Sequence, residues 1–217
     1  MPLTGKPKAS DATIYRLSLY HCYLGNLNRV EAPQLITSGR LARELDVSEE
    51  TVRRDLSCLG SIGRPGAGYR SESLLSAIQD YLGLTDDYPI VQVGSAQMLE
   101  ALSVVFPPED YGVRPVAFFS ELPEDAGKTV HGIGVRHIDE LPSLDRGLGA
   151  CTALVACSPA VVHGVLDALD AAGVTAVMLL TPAVTLDPPQ DMLVTQVRIP
   201  CDIKSLACRV HMAGSQG

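Results

Sequence analysis

The chain has 217 residues, of which 46% are hydrophobic, and a formal net charge of −8 at neutral pH. This length predicts two compact domains, and the apolar content is sufficient for a core in each of them. No run of 18 apolar residues occurs, and residues 1–8 lack the apolar segment of a secretion signal. We therefore expect a cytoplasmic protein without a membrane-spanning helix.

Charge is distributed unevenly along the chain. Residues 1–70 contain ten Lys/Arg and seven Asp/Glu, a formal charge of +3, whereas residues 71–217 contain seven and eighteen, a formal charge of −11. Basic charge concentrated in one terminal region is typical of a DNA-binding domain within an otherwise acidic protein. The acidity of the whole chain therefore does not exclude nucleic acid as a partner.

Two short amphipathic helices joined by a tight turn are predicted within residues 36–60. Thr37 or Ser38 caps the first helix, and Ser48 caps the second. The second helix has an apolar stripe at the i, i+4 and i+7 positions, formed by Val52, Leu56 and Leu59. This pattern predicts a helix-turn-helix.

The open side of the second helix carries Arg53, Arg54 and Ser57, with Thr51 beside them. A helix that is apolar on one side and carries adjacent arginines on the other is typical of a helix that lies in a groove of DNA. An ordinary amphipathic surface helix is the alternative for this segment taken alone.

Residues 60–70 contain four glycines, a proline and two arginines. Such a segment allows the backbone to approach phosphate closely, and a winged-helix domain places its wing at this point of the chain. The candidate DNA contacts in the wing are Arg64, Gly66, Gly68, Tyr69 and Arg70.

The second half of the chain alternates apolar strands with helices. The predicted strands are 89–95, 113–121, 150–157, 175–182 and 192–199. The predicted helices are 96–106, with Met98, Leu99, Leu102 and Val105 on its apolar side, and 159–172. This order predicts an α/β fold with a mostly parallel, Rossmann-like sheet. The predicted domains are a winged helix over 1–80, a Rossmann-like domain over 85–199, and a terminal helix and tail over 200–217.

The cysteines and histidines predict no metal site. The six cysteines form no C-x-x-C pair, and the five histidines make no cluster of zinc-site spacing. No nucleophile–base pair is legible, so we expect a protein that is not an enzyme. A Rossmann-like enzyme that uses CoA or a nucleotide near Ser158-Pro159 is an outside alternative.

From about Ala12 to Met212, the chain resembles the Rex family of redox-responsive repressors. The most specific matches are Val47-Ser48, the run from Val52 to Ser57, Gly60, Gly63, and the run from Gly66 to Tyr69. The resemblance implies an N-terminal winged helix and a C-terminal Rossmann domain that binds NAD(H). It also implies a homodimer on an inverted-repeat operator, with a final helix exchanged between the two copies. Residues 202–212, with Asp202 as cap, fit such a helix.

The resemblance also implies functional residues in the second domain and between the domains. It implies that Arg16 and Asp202 approach one another across the domain junction, where they form an ion pair in one domain arrangement; two unrelated solvated charges are the alternative. The nucleotide contacts that it implies are Gly94, Ser95, Ala96, Gln97, Met98, Ser120, Glu121, Lys128, Ser158, Pro159 and Pro182.

The nucleotide motif departs from the family pattern. The glycine fingerprint G-x-G-x-x-G is here Gly94-Ser95-Ala96-Gln97-Met98-Leu99, which keeps only the first glycine. Ser120 stands where an acidic residue would hold the adenosine ribose, and we expect Glu121 to point to the other face of its strand. The sequence therefore predicts much weaker NADH binding than a complete motif gives. Response to another ligand, or a Rossmann domain that serves only for dimerisation, is the alternative.

Overall fold

The structure, a computed structural model, describes residues 9–30, 34–60, 62, 68–84, 87–181 and 185–214. The chain divides into two compact units, Met1–Asp86 and Asp87–Gly217. Among the described residues, no helix is long and apolar enough to cross a membrane. Arg64, Gly66 and Pro182, which the sequence analysis proposes as contacts, lie outside the described residues.

The first unit is a small helical domain with a two-stranded sheet. Its elements are α1 (Asp11–Val30), β1 (Leu35–Ile36), α2 (Ser38–Glu44), α3 (Glu49–Ser57), β2 (Tyr69–Arg70) and α4 (Ser71–Leu82). The two strands pair antiparallel, with Ile36 opposite Tyr69. The core is formed by buried side chains from all four helices, among them Leu17, Tyr20, Leu41, Val52, Leu74 and Ile78. This order of helices and strands is that of a winged helix-turn-helix.

Local sequence explains how α2 and α3 begin. The Thr37 hydroxyl accepts a hydrogen bond from the Arg40 N–H and caps α2, and the Ser48 hydroxyl accepts one from the Thr51 N–H and caps α3. Between the helices, Asp46 adopts a left-handed φ of 51°, a conformation that Asp tolerates better than most residues. The sequence analysis does not predict α4, although its buried Leu74, Ile78 and Tyr81 follow helical spacing.

The second unit is built on a seven-stranded sheet in the order β5-β6-β4-β3-β7-β8-β9. The strands are β3 (Tyr88–Gly94), β4 (Val113–Ser120), β5 (Thr129–Val130), β6 (Ile133–His137), β7 (Thr152–Ala156), β8 (Ala176–Leu179) and β9 (Leu193–Gln196). Only β5 runs antiparallel to its neighbour within this described sheet. The chain leaves the central β3 toward β4 and later returns to its other side at β7. The crevice above the carboxyl ends of β3 and β7 is therefore a topological switch point.

Helices cover both faces of this sheet. On one face, α5 (Ala96–Val105) packs Ala96 and Leu99 against Phe118 of β4. On the other face, α6 (Val162–Ala171) packs Val165 and Leu169 with Val91 and Phe119. The last helix is α7 (Ile199–Gly214).

Four predictions for the second unit are wrong in detail. In α5 the buried residues are Ala96, Leu99 and Ser103, whereas Val105 of the predicted stripe is 81% exposed. The last strand ends at Gln196 rather than 199, and α7 begins at Ile199 because Pro200 is compatible with a first helical turn. Asp202 consequently lies inside the first turn of α7 and is not its cap. The predicted helix 159–172 begins later, at Val162.

Candidate functional site

Helix α3 presents two arginines on the side opposite its core contacts. Val52, Asp55 and Leu56 are buried, whereas the Arg53 and Arg54 side chains are 62% and 78% exposed. Of the neighbouring candidates, Thr51 and Ser48 lie at the start of the helix, where their hydroxyl oxygens are 2.7 Å apart. The predicted division between a buried and an open side is therefore present in the structure.

Each of these arginines pairs with a glutamate one turn earlier. Arg53 donates to the Glu49 carboxylate, and Arg54 Nη2 lies 3.0 Å from Glu50 Oε1. Exposed pairs at this spacing contribute only about 0.3–0.5 kcal/mol each, so a phosphate or a base edge competes readily for the guanidinium. Ser57 donates its hydroxyl proton to the Arg54 carbonyl at 2.6 Å, which leaves only its oxygen lone pairs for a ligand.

A buried carboxylate holds α3 against α1. Asp55 is 2% exposed, and it accepts hydrogen bonds from Arg16 Nε at 2.6 Å, Arg16 Nη2 at 2.7 Å and the Tyr20 hydroxyl at 2.9 Å. Burial alone would raise the pKa of Asp55, but the bonds from Arg16 and Tyr20 hold that pKa below its ordinary value. Burial and the Asp55 carboxylate raise the pKa of Tyr20, which keeps its proton. The orientation of α3 therefore depends on this cluster.

Sequence analysis did not find the Arg16–Asp55 pair. The signal available was that Asp55 lies three residues after Val52 and next to Leu56, on the buried side of the helix. Arg16 thus has a partner inside its own unit, while Asp202 is an exposed residue of α7. The pairing of Arg16 with Asp202 stays a prediction.

The base of the wing requires glycine at position 68. Gly68 has a φ of +83°, and a Cβ atom there would lie 2.7 Å from the carbonyl oxygen of Ile36 on the paired strand. Tyr69 and Arg70 follow as β2, with the Arg70 guanidinium exposed and 3.8 Å from the Glu72 carboxylate. The end of the wing that leads into β2 is therefore fixed beside β1 by backbone geometry.

In the second unit, the crevice begins where β3 turns into α5. Gly94 ends β3, and a Cβ atom there would lie 3.3 Å from the Ala156 carbonyl oxygen of β7. Ser95 caps α5 by accepting a hydrogen bond from the Met98 N–H at 3.2 Å. The Gln97 and Met98 side chains are exposed, as is Pro159 on the far side of the crevice.

A second buried carboxylate lies at this turn. Asp125, in the short 3-10 helix Pro123–Asp125, is 3% exposed and accepts hydrogen bonds from the Ala96 N–H, the Ser120 hydroxyl and the Lys128 ammonium at 2.7–2.8 Å. The Lys128 ammonium lowers the pKa of Asp125 most, and burial opposes this effect without overcoming it. The sequence analysis did not single out Asp125, because it lies four residues beyond the expected end of the strand at residue 121.

Glu121 follows the last residue of β4, and its carboxylate reaches the residue that follows β7. The expectation that it points to the face of the sheet opposite Ser120 stays a prediction. The strand ends at Ser120, and strand alternation does not extend to the next residue. Both carboxylate oxygens of Glu121 lie 3.0 Å from the N–H of Ser158, which follows β7. Because β3 lies between β4 and β7, this side chain passes over the carboxyl end of β3.

These contacts do not fit a dinucleotide bound in the usual way. Pyrophosphate at a helix N-terminus requires open backbone N–H groups, and the first one of α5 donates to Asp125. Ser120 is fully buried and cannot replace an acidic ribose ligand, since its hydroxyl donates to the same carboxylate. Among the predicted nucleotide contacts, Ala96, Ser120 and Lys128 each donate a hydrogen bond to Asp125. Two others, Glu121 and Ser158, are hydrogen-bonded to each other.

The fold and the two-unit organisation define the class of protein: a winged helix-turn-helix joined to a Rossmann-like α/β domain. A family model described as the N-terminus of putative DNA-binding proteins matches residues 8–57. The redox-sensing transcriptional repressors Rex of Streptomyces avermitilis and Streptomyces coelicolor are each 35% identical to the chain over 206 residues. These matches cover 95% of this chain and 81% and 79% of the two relatives. The chain therefore belongs to the Rex family of redox-sensing transcriptional repressors, as the sequence analysis predicts.

Solved structures show the same fold. RSP, a Rex-family repressor, has a TM-score of 0.79 and 22% identity, and the match covers 96% of this chain and 97% of RSP. RSP in complex with β-NAD⁺ and operator DNA has a TM-score of 0.80 and 23% identity, with 96% and 95% covered. RSP has also been solved in complex with β-NADH. The predicted fold class, an N-terminal winged helix-turn-helix with a Rossmann-like domain, is confirmed.

Proposed function

We propose that this protein is a DNA-binding transcriptional repressor of the Rex type rather than an enzyme. The observation that carries the proposal is helix α3, which exposes Arg53 and Arg54 while Asp55, on the same helix, is fixed to α1 through Arg16. Entry into the major groove requires a helix that is held rigidly and carries solvent-exposed basic side chains, and the exposed pairs with Glu49 and Glu50 are weak enough to exchange for DNA. The relatives are named as transcriptional repressors, and we expect this protein to act in the cytoplasm, where operator DNA lies.

The proposed DNA contacts fall into two groups. From the helix, Arg53 and Arg54 contact base edges or phosphates, with Ser48, Thr51 and Ser57 at the flanks. From the wing, the contacts are Arg64, Gly66, Gly68, Tyr69 and Arg70. The wing contacts rest on its basic and glycine-rich sequence and on the exposed position of Arg70.

We propose that the repressor is a homodimer whose last helix packs on a second copy. The described side chains of α7 are all exposed, including an apolar series at helical spacing. The members of that series, Ile199, Ile203, Leu206 and Val210, are between 55% and 68% exposed. A 16-residue helix with an uncovered apolar face is not expected to persist alone in water.

The sheet of the same unit has an uncovered apolar area that suits this helix. Met178 of β8 and Leu193 of β9 are exposed, and the strand register places these two side chains on the same face of the sheet. This face continues from Phe118, which α5 covers, toward the β9 edge, where no described helix of the same chain packs. We propose that α7 of the partner covers it, as the family resemblance implies, and that two copies bind an inverted repeat.

Selection from a pool of randomised duplexes tests the DNA assignment. We expect the recovered sequences to share an inverted repeat, and recovery of no common sequence at physiological salt would contradict the proposal.

Analytical ultracentrifugation tests the dimer with Ile203→Glu/Leu206→Glu, which should give monomers. Lys204→Glu, on the same exposed helix, is the matched control and should remain a dimer. A monomeric unmodified protein at micromolar concentration would refute the dimer alone.

NAD(H) is the ligand that the family resemblance implies for the second unit, and RSP has been solved with both its forms. The unit has the strand order and switch point of a dinucleotide-binding domain. We propose that it is the dimerisation and regulatory domain of the repressor. The carboxylates in its crevice determine how well it responds to a nucleotide.

A further inference from the structure

Oxygen atoms of the chain itself already accept hydrogen bonds from N–H groups in the first turn of α5. The Ala96 N–H donates to Asp125 at 2.8 Å, the Met98 N–H donates to the Ser95 hydroxyl at 3.2 Å, and the Leu99 N–H donates to the Ser95 carbonyl at 3.0 Å. The Ala96 and Met98 N–H groups and the helix dipole are what a phosphate would otherwise use, whereas the Leu99 bond is the ordinary first bond of the helix. An incoming phosphate must therefore replace bonds that already exist.

Asp125 forms a complete site for its own negative charge. Its Oδ2 atom accepts from the Ala96 N–H and from the Ser120 hydroxyl, and its Oδ1 atom accepts from Lys128 at 2.7 Å. The pKa of Asp125 lies below its ordinary value, chiefly because of Lys128, so the carboxylate is charged at neutral pH. The cation that would help to hold a pyrophosphate is therefore already bound to an internal anion.

A second carboxylate adds to the negative charge among the described residues of the crevice. Glu121 extends across the carboxyl end of β3 and binds the Ser158 N–H through both oxygens. A pyrophosphate placed above β3 would meet this carboxylate as well as Asp125. In a partly buried crevice, repulsion between like charges is screened less than at the surface.

We infer that Asp125 is a built-in anion that occupies the N-terminus of α5 in place of a dinucleotide pyrophosphate, so that the crevice rejects NAD(H) while this carboxylate is in place. Together with the proposed function, this predicts a repressor whose DNA binding does not follow the NADH/NAD⁺ ratio. Asp125 lies outside the glycine fingerprint, so the loss of NAD(H) binding does not depend only on the two glycines that the fingerprint lacks.

A different role for Asp125 gives the opposite result. If its carboxylate replaced the missing acidic residue on β4, it would hold the ribose hydroxyls, and its removal would weaken nucleotide binding. The structure favours the first role, since both oxygens already accept bonds from the chain and the residue is 3% exposed. A ligand-holding carboxylate needs an oxygen that the ligand can reach.

Titration calorimetry of the full chain with NADH, in the absence of DNA, separates the two roles. Asp125→Ala frees the Ala96 N–H and the Lys128 ammonium, and we expect it to bind NADH at least about tenfold more tightly than the unmodified protein. Glu124→Ala is the matched control, because it removes an exposed negative charge from the same short helix and leaves the Ala96 contact intact. Its affinity should stay within about twofold of the unmodified protein.

Asp125→Asn provides the second variant if the alanine variant does not fold, as judged by its thermal unfolding. It keeps the side-chain shape but removes the charge, and it should shift the affinity in the same direction by a smaller factor. The inference is overturned if the folded variants bind NADH no more tightly than the unmodified protein does. It is also overturned if neither the variants nor the unmodified protein bind NADH detectably.

The DNA response is measured separately by fluorescence anisotropy of a selected operator duplex. We expect NADH to leave the complex of the unmodified protein unchanged and to release DNA from the Asp125→Ala variant. Release from the unmodified protein at micromolar NADH overturns the inference. If no duplex is bound at all, the proposed function fails, while the calorimetric result still decides the role of Asp125.

Discussion

Each unit contains an almost fully buried aspartate that binds a cation and a hydroxyl group, and the two have opposite consequences. Asp55 binds Arg16 and Tyr20 of α1, and this contact leaves the outward arginines of α3 available to solvent. Asp125 binds Lys128 and the backbone N–H of Ala96, and this contact occupies both the cation and the helix end in the crevice. A buried carboxylate therefore holds a binding surface in position when its partners are side chains of a neighbouring helix. It blocks a binding surface when its partner is a backbone N–H group at the helix N-terminus that a ligand would use.

The largest effect, on operator affinity, is expected from removing the two exposed arginines of α3. Arg53→Ala/Arg54→Ala should weaken operator binding by about 4 kcal/mol, roughly a thousandfold, if both arginines reach bases or phosphates. Fluorescence anisotropy with a selected duplex at physiological salt measures the change. Arg114→Ala, which removes an exposed arginine of the second unit, is the control and should have little effect. Unchanged affinity of the double variant would show that α3 is not the recognition helix.

Asp55→Asn tests whether Asp55 holds α3 against α1. We expect the free energy of unfolding of the first unit to fall by about 3 kcal/mol, because the substitution leaves a partly buried Arg16 without its counter-charge. Hydrogen exchange of peptides from α1 and α3 measures the loss. Glu44→Gln, an exposed position on α2, should change it by less than about 0.5 kcal/mol. Similar exchange in both variants would show that the buried pair does not fix the helix.

The same carboxylate predicts an acid dependence. Because the pKa of Asp55 is lowered in the folded chain, its contribution to stability is present above the unfolded value of about 3.9 and is lost as the pH falls through the folded pKa. Urea denaturation of the first unit should therefore show stability that declines below about pH 4. The decline should be smaller in Asp55→Asn, and an equal decline in both proteins would assign the acid sensitivity to other groups.

A medium effect is expected at the base of the wing. Gly68→Ala should destabilise the first unit by about 2 kcal/mol and weaken DNA binding, since the new Cβ atom meets the Ile36 carbonyl in addition to the left-handed φ. Gly83→Ala is a useful control because position 83 has a φ of +67° with open space around it, so only the backbone strain is added. Thermal unfolding should place the Gly83 variant between the unmodified protein and the Gly68 variant. Equal effects would show that the contact with Ile36 is unimportant.

The smallest effect concerns the glutamate that pairs with an outward arginine. Glu50→Gln removes the exposed partner of Arg54 and one negative charge near the DNA, so operator affinity should rise by about twofold to threefold. The gain should shrink at high salt, because exposed charges are screened. Glu100→Gln on α5 is the matched control in the other unit and should not change the affinity. Weaker binding by the Glu50 variant would indicate that the pair positions Arg54 for DNA.

The sequence by itself determined the features that depend on neighbours within a few residues. The Ser48 cap, the buried Val52 and Leu56 and the exposed Arg53 and Arg54 all follow from helical spacing, and the structure has each of them. The alternation of apolar strands and helices likewise predicted the parallel sheet. Helix α4 was missed because Arg70, which precedes it, gives no side-chain cap to mark its start.

Only the tertiary structure decided which groups occupy the crevice and what holds α3 against α1. The Arg16–Asp55 bond joins residues 39 apart, the Ala96–Asp125 bond residues 29 apart, and the Glu121–Ser158 bond residues 37 apart. No local periodicity brings such residues together. They meet because α1 packs against α3 and because the sheet places β4, β3 and β7 side by side with their carboxyl ends at one edge. A buried charge is stable only beside a partner, and the order of the strands determines which partner is within reach.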